Sequence, residues 1–212
     1  MENLIDLFEL FKIFVISVVQ GVSEWLPISS TGHMIILDKM MKVNLDASFM
    51  NMFFVLVQLG SILAVVVLYF NKLNPFSPKK TSQERKDSWF LWFKVAVASI
   101  PMGVIGLILG DIVDNYLFNW KIVAVSLVVY GFAFIWIENR KQDPRARVIT
   151  QLEDITFKDA FMIGCYQVLA IIPGTSRSGA TILGGLLTGA TRFIATEFTF
   201  FMGIPAMVGA SL

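Results

Sequence analysis

The chain has 212 residues, 56% of them hydrophobic and 16% charged, with a mean hydropathy of +0.70. Soluble domains carry about 25% charged residues, so this is more apolar material than one soluble core buries; an ordinary cytosolic domain is excluded and a polytopic membrane protein is expected. The formal charge of +1, from 17 basic and 16 acidic residues, leaves no basic excess for counterion release, which excludes nucleic acid as a partner.

At the N-terminus, Glu2, Asp6 and Glu9 surround the start of the first apolar stretch, the opposite of a basic leader region. The first segment is therefore expected to stay in the mature protein. That stretch, 4–19, is short and runs into Gln20, Gly21, Ser23, Glu24, Pro27 and the cluster Ser29-Ser30-Thr31-Gly32-His33, before a second short apolar run at 34–37. Three longer stretches, 49–70, 89–110 and 120–137, approach or exceed the roughly 20 residues that a helix needs to cross the hydrocarbon. The connection 71–88 holds Lys72, Lys79, Lys80, Arg85 and Lys86, and the connection 138–158 holds Arg140, Lys141, Arg145, Arg147 and Lys158. Between them, 111–119 holds Asp111 and Asp114 with no basic residue, so the positive-inside rule puts the basic connections in the cytoplasm and residue 49 outside.

The second half opens like the first. An apolar stretch, 160–172, runs into Pro173-Gly174-Thr175-Ser176-Arg177-Ser178-Gly179, continues as 180–190, and is followed by an apolar span at 193–212. Cys165, the single cysteine, excludes a disulfide framework or a cysteine-rich metal site and reads as small buried filler. Lys94 and Glu197 stand in apolar segments without hydroxyls or glycines around them, and read as structural or lining residues.

Polar, irregular backbone at membrane depth is tolerated only where protein buries it or it lines a cavity, so each break is expected to be a re-entrant hairpin. Gly21-x-x-Glu24 precedes the first break and Gly164-x-x-Gln167 the second, and Ser29 and Ser176 are 147 residues apart. Three spans separate the two, which turns the second upside down relative to the first. The expectation is an all-α, single integral membrane domain over 1–212 built as an inverted-topology repeat, with repeat 1 at about 1–110 and repeat 2 at about 150–212. Interrupted segments of such repeats meet near the bilayer midplane to form the site.

Both breaks are written as capped helix N-termini, Ser29, Ser30 and Thr31 in one and Ser176 and Ser178 in the other. Two N-termini facing one cavity present unsatisfied N–H groups and positive dipole ends, a preformed anion site. Arg177 adds a fixed charge and a planar fork suited to phosphate oxygens, and an intramembrane ionisable residue is a functional candidate. Gln20 and Glu24 share a helix face, and the only histidine, His33, follows nine residues on. A carboxylate, a hydroxyl cluster and an imidazole near an arginine supply base, nucleophile and acid for phosphoryl transfer. Inverted repeats with broken helices also describe transporters, so carriage or flipping of an anionic solute or lipid is the rival function.

The motifs Gln20-Gly21-Val22-Ser23-Glu24, Leu26-Pro27-Ile28-Ser29-Ser30-Thr31-Gly32-His33 and Pro173-Gly174-Thr175-Ser176-Arg177-Ser178-Gly179-Ala180-Thr181 resemble those of the bacitracin-resistance type of undecaprenyl-diphosphate phosphatase. The resemblance implies a multi-pass enzyme of the bacterial inner (plasma) membrane that removes the terminal phosphate of a polyprenyl diphosphate lipid. It implies a divalent cation, magnesium or calcium, a place in recycling the cell-wall lipid carrier, and functional roles for Ser30, His33, Ser176, Arg177 and Thr181. Membrane lipids are its other partners, and a homodimer is compatible with it. The family has Glu or Gln at the first acidic position; Gln20 here is neither base nor anionic metal ligand, which puts more weight on Glu24, as base or as metal ligand. Family members continue for several more helices, so the second repeat is expected to be cut short at Leu212. In the resulting scheme Arg177 holds the diphosphate, with Ser29, Thr31, Ser176, Ser178 and Thr181 lining its site. Ser30 attacks, with His33 or Glu24 taking its proton; attack by His33 or by water is the alternative. The 19 Phe residues offer a wall for the polyprenyl tail.

Overall fold

A computed structural model describes residues 7–117, 120–139 and 147–211. Among the described residues the protein is all-α: α1 (Leu7–Ser23), α2 (Ser30–Met41), α3 (Ala47–Leu68), α4 (Phe70–Leu73), α5 (Ser82–Tyr116), α6 (Trp120–Glu138), α7 (Phe157–Gln167), α8 (Arg177–Leu187) and α9 (Arg192–Ala210), with a 3-10 turn, Val168–Ile171, after α7. Among the described residues, four helices are long and apolar enough to cross a membrane: Ala47–Leu68, Ser82–Gly110, Trp120–Glu138 and Arg192–Ala210. Much of their surface is apolar and exposed, as on Leu107, Phe132 and Trp136, which water would penalise and lipid does not.

Helix starts follow local chemistry. Asp46 accepts from the N–H groups of Ser48 and Phe49 at the head of α3, and Thr81 with Glu84, then Thr156 with Asp159, form reciprocal capping boxes at α5 and α7. The Thr81 box moves the start of α5 ahead of the expected residue 89, so Arg85 and Lys86 lie on the helix rather than in a loop. At the other end α5 continues through 111–116, so most of the expected acidic loop is helical. The calls on Glu2, Asp6, Arg140, Lys141 and Arg145 lie outside the described residues.

The expected breaks are narrower than the sequence indicates. α1 absorbs Gln20 through Ser23, and α2 already begins at Ser30, because Ser29 is its cap: Ser29 Oγ accepts from the N–H of Gly32 at 3.2 Å. The second break has the same form, with Ser176 Oγ accepting from Gly179 N at 3.0 Å at the head of α8. Ser30 and Arg177 are thus the first helical residues of equivalent turns. Cys165 corrects the expectation of buried filler: it is exposed, one position off the buried stripe Ala160, Ile163, Gly164 and Gln167 of α7.

Two helical hairpins, α1–α2 and α7–α8, are each closed at the base. In the first, Asn44 N donates to Glu9 at 3.1 Å and Lys12 Nζ donates to the Lys42 carbonyl at 3.1 Å. In the second, a strap around Ile149 binds the α8–α9 turn through Ile149 N to Gly189 O (2.7 Å) and Thr191 N to Ile149 O (2.9 Å), while Arg147 pairs with Asp159 on α7. Lys94, buried on α5, donates to the carbonyls of Leu152 and Glu153 and pins the same strap. α3 and α9 run antiparallel: Ile62 lies against Gly203, Tyr69 packs edge-on against Phe201, and Lys72 pairs with Glu197 at 2.8 Å. The first hairpin has its base beside the N-terminus of α3 and the second beside that of α9, so the bases lie at opposite ends of this pair.

α7 lies against α5 backbone to backbone. A Cβ built on Gly164 would sit 2.2 Å from the Ala98 carbonyl oxygen, a rigid neighbour. Gly164→Ala is therefore expected to push α7 and its hairpin off α5 at a cost of about 1–3 kcal/mol, read as a lowered Tm of the detergent-solubilised protein. An unchanged Tm would show that the two helices are not in this contact.

Candidate active site

The tips of the two hairpins meet. Glu24 ends the first turn beyond α1, with its N–H bonded to the Gln20 carbonyl, and Arg177 opens α8; Arg177 Nη2 reaches Glu24 Oε1 at 3.3 Å across 153 residues of sequence. The other carboxylate oxygen, Oε2, accepts the Ser30 hydroxyl in a short hydrogen bond and the Gln20 amide Nε2 at 3.2 Å. Both charged side chains are mostly buried, 12% exposed for Glu24 and 20% for Arg177. Removing either leaves the other as an uncompensated charge at low dielectric.

Backbone geometry places Ser30. Ser29 adopts a left-handed conformation, φ 66°, which costs a non-glycine residue of order 1–3 kcal/mol. Its three uses offset that strain: the hydroxyl caps Gly32, and its carbonyl accepts both the His33 backbone N–H (3.1 Å) and His33 Nδ1 (2.8 Å). A carbonyl only accepts, so the contact requires a proton on Nδ1. Thr31 Oγ1 accepts from Gln58 of α3 at 3.2 Å.

On the second tip, Ser176 and Ser178 share a hydroxyl contact at 3.1 Å and are buried. Thr181 is fully buried. Its hydroxyl is bound within α8 to the Arg177 and Ser178 carbonyls and accepts from Thr199 of α9 at 2.9 Å, so it ties α8 to α9. Gly174, at φ +89°, lets the chain turn directly against α6: a Cβ there would lie 2.7 Å from the backbone of Val123. Along the same face of α6, Tyr130 approaches Thr175 and Phe134 closes on Gly179.

Arg177 Nη1 is buried and has no hydrogen-bond partner among the described residues. The guanidinium lies against Gly203, where a built Cβ would meet both terminal nitrogens at 3.1 Å. A fixed cation with an unused N–H, beside helix N-termini whose first N–H groups have no intrahelical acceptor, is chemically an oxyanion receptor.

The donor set also decides what metal fits. Among the described residues no group of three or more His, Cys, Asp or Glu side chains is placed to enclose an ion. Magnesium, however, is commonly held by one or two carboxylates together with substrate phosphates. Glu24 fits that role for an ion that arrives with a diphosphate, and Gln20, whose amide oxygen accepts from Ser61 Oγ at 2.8 Å, adds no anionic ligand.

Of the sequence-predicted residues, Gln20, Glu24, Ser30 and Arg177 are in direct contact; His33 joins them through Ser29, and Thr181 faces the α8–α9 packing. Sequence reading did not single out Gln58, Ser61, Tyr130 or Thr199. They lie within ordinary-looking spans, and a lone polar residue at a helical spacing from apolar ones carries little signal.

Over 197 residues the chain is 56% identical to an undecaprenyl-diphosphatase of Enterococcus faecalis, covering 93% of this chain and 71% of that relative. It is 52% identical over 206 residues to the undecaprenyl-diphosphatase of Limosilactobacillus fermentum, covering 97% and 74%. Against the protein of the same name from Lachnoclostridium phytofermentans it is 51% identical over 208 residues, covering 98% and 76%. The family model described as bacitracin resistance protein BacA matches residues 13–212, and this chain belongs to that family.

Proposed function

We propose that this protein hydrolyses undecaprenyl diphosphate to undecaprenyl phosphate and inorganic phosphate in the bacterial inner membrane, returning the cell-wall lipid carrier to use. The observation that carries this reading is the convergence of Ser30, Glu24 and Arg177 at one point between two hairpin tips. A hydroxyl directed at a carboxylate beside an arginine is a nucleophile with its base. An anion carrier needs only the cation.

In the proposed mechanism Arg177 Nη1 and the first-turn N–H groups of α2 and α8 take the diphosphate oxygens, stabilising charge that develops on the transferring phosphoryl group. Glu24 Oε2 accepts the Ser30 proton as Ser30 Oγ attacks the terminal phosphorus. The bond from that phosphorus to the bridging oxygen breaks, and the lipid monophosphate leaves with its oxygen protonated by Glu24. Glu24, again a carboxylate, deprotonates a water that attacks the phosphoserine, and Ser30 recovers a proton as inorganic phosphate departs. His33, its Nδ1–H anchored on the Ser29 carbonyl, holds Nε2 in reserve as a second base. A divalent cation, with Glu24 as its protein ligand, would supply further neutralisation of phosphate oxygens.

Lys12–Lys42 and Glu9–Asn44 at one hairpin base, and Arg147–Asp159 at the other, support reading the hairpins as re-entrant from opposite faces of the bilayer, as an inverted repeat requires. We place the basic connection around Lys79 and Lys80 in the cytoplasm. Association into a homodimer is compatible with the exposed apolar faces.

The test is phosphate release from a prenyl diphosphate by purified protein in detergent, with and without chelator. Release is expected, with most of it lost on chelation and restored by added magnesium or calcium. Substrate binding without release, at any cation concentration, would overturn hydrolysis in favour of carriage. Gln20→Glu puts two carboxylates at the same point and is expected to lower the cation concentration needed for half-maximal rate; an unchanged requirement would remove Glu24 as metal ligand.

A further inference from the structure

We infer that Ser61 of α3 is a positioning residue for this reaction: its hydroxyl anchors the Gln20 amide and so holds in place the hydrogen bond that Gln20 donates to the Glu24 carboxylate. The inference rests on the hydrolytic reading above and deepens it. Gln20 is fully buried and makes two side-chain hydrogen bonds of opposite polarity: its Oε1 accepts from Ser61 Oγ at 2.8 Å, and its Nε2 donates to Glu24 Oε2 at 3.2 Å. An amide turned the other way would set its carbonyl oxygen against the carboxylate and its NH2 against the serine. A serine hydroxyl can also accept, so that orientation is disfavoured mainly at the Glu24 end; with the serine donating, both ends of the amide agree. Glu24 Oε2 is the same oxygen that takes the Ser30 hydroxyl, so a chain of three hydrogen bonds runs from a membrane-spanning helix to the attacking oxygen.

α3 is suited to this work. Within little more than one turn it presents Gln58 to Thr31, Ser61 to Gln20, and Ile62 to the glycine against which the Arg177 guanidinium rests. A reacting group is held productively only when its neighbours are themselves locked by hydrogen bonds on a rigid element, and α3 packs against both α1 and α9, the helices that carry or support the two hairpin tips. Ser61 therefore acts on the chemistry without touching substrate.

The experiment is a double-mutant cycle on phosphate release, Ser61→Ala against Gln20→Met, with Ser61→Thr as the conservative variant. Ser61→Ala is expected to lower kcat about tenfold with KM little changed, because the lost alignment is felt in the attack and the Arg177 anchor is intact. Ser61→Thr, which keeps the hydroxyl, is expected to restore the parent kcat. In the Gln20→Met background the same Ser61→Ala change is expected to have no further effect, since no amide is left to orient. Full additivity in the cycle, or failure of threonine to rescue a correctly folded variant, would overturn the assignment of Ser61 while leaving hydrolysis standing. A parent protein that releases no phosphate would overturn both.

Discussion

Arg177→Ala is expected to lower kcat/KM for phosphate release by about 10³-fold or more, the largest effect of any single substitution at a residue that does not react. Loss of one oxyanion donor costs roughly 10²- to 10³-fold in an enclosed site, and alanine removes the whole fork at once. Arg177→Lys keeps the charge but gives up the planar, paired donors, so a loss of about 10²-fold is expected. The ion pair complicates the reading, because a lone Glu24 carboxylate left in this surrounding destabilises the fold. Arg177→Met combined with Glu24→Gln removes both charges and serves as the folding control, checked by elution profile and Tm. A folded Arg177→Lys enzyme within about tenfold of the parent would show that the guanidinium is not the phosphate clamp.

Ser30→Ala and Glu24→Gln are expected to separate the nucleophile from its base. Without Ser30 Oγ no phosphoserine forms, so turnover should fall to background while a prenyl diphosphate still competes for the site, its anchorage resting on Arg177 and the helix N-termini. Glu24→Gln leaves the nucleophile in place but cannot take its proton, for which a loss of roughly 10²- to 10⁴-fold is usual. Rapid-quench detection of phosphate on the protein gives a second readout: label on Ser30 in the parent and none in Ser30→Ala. Substantial turnover by Ser30→Ala would make the serine a phosphate ligand and pass the attack to His33 Nε2 or to water. His33→Gln would then be the deciding variant.

The residues of the site were legible because their chemistry is conspicuous against hydrocarbon. Glu24 and Arg177 stand out in apolar surroundings, and the hydroxyl and glycine runs at Ser29–Gly32 and Ser176–Gly179 are cap signals that need only local sequence. The helix limits were less legible. Residues 111–116 carry Asp111 and Asp114, which favour a loop in a hydropathy reading, yet α5 runs on to Tyr116, since a helix leaving the hydrocarbon continues wherever its backbone bonds remain the best available. Cys165 was misplaced for a related reason: apolar neighbours signal burial in a soluble protein, whereas a membrane protein turns an apolar face to lipid.

Composition and hydropathy by themselves determined a polytopic all-α membrane protein, because an apolar run of sufficient length has one low-energy way to cross a bilayer. Local motifs determined two capped breaks, because a cap involves residues three apart. Neither determines which residues touch across 153 positions. The Glu24–Arg177 pair exists because α3 and α9 pack antiparallel and bring the hairpin tips to one point. Helix packing also lends Gln58 and Ser61 of α3 to a site on α1 and α2, whereas the Ser30 hydroxyl on Glu24 and His33 on the Ser29 carbonyl are contacts within six residues of sequence. Hydrogen-bond partners are chosen by distances of a few tenths of an ångström, which side chains acquire only after whole helices have packed.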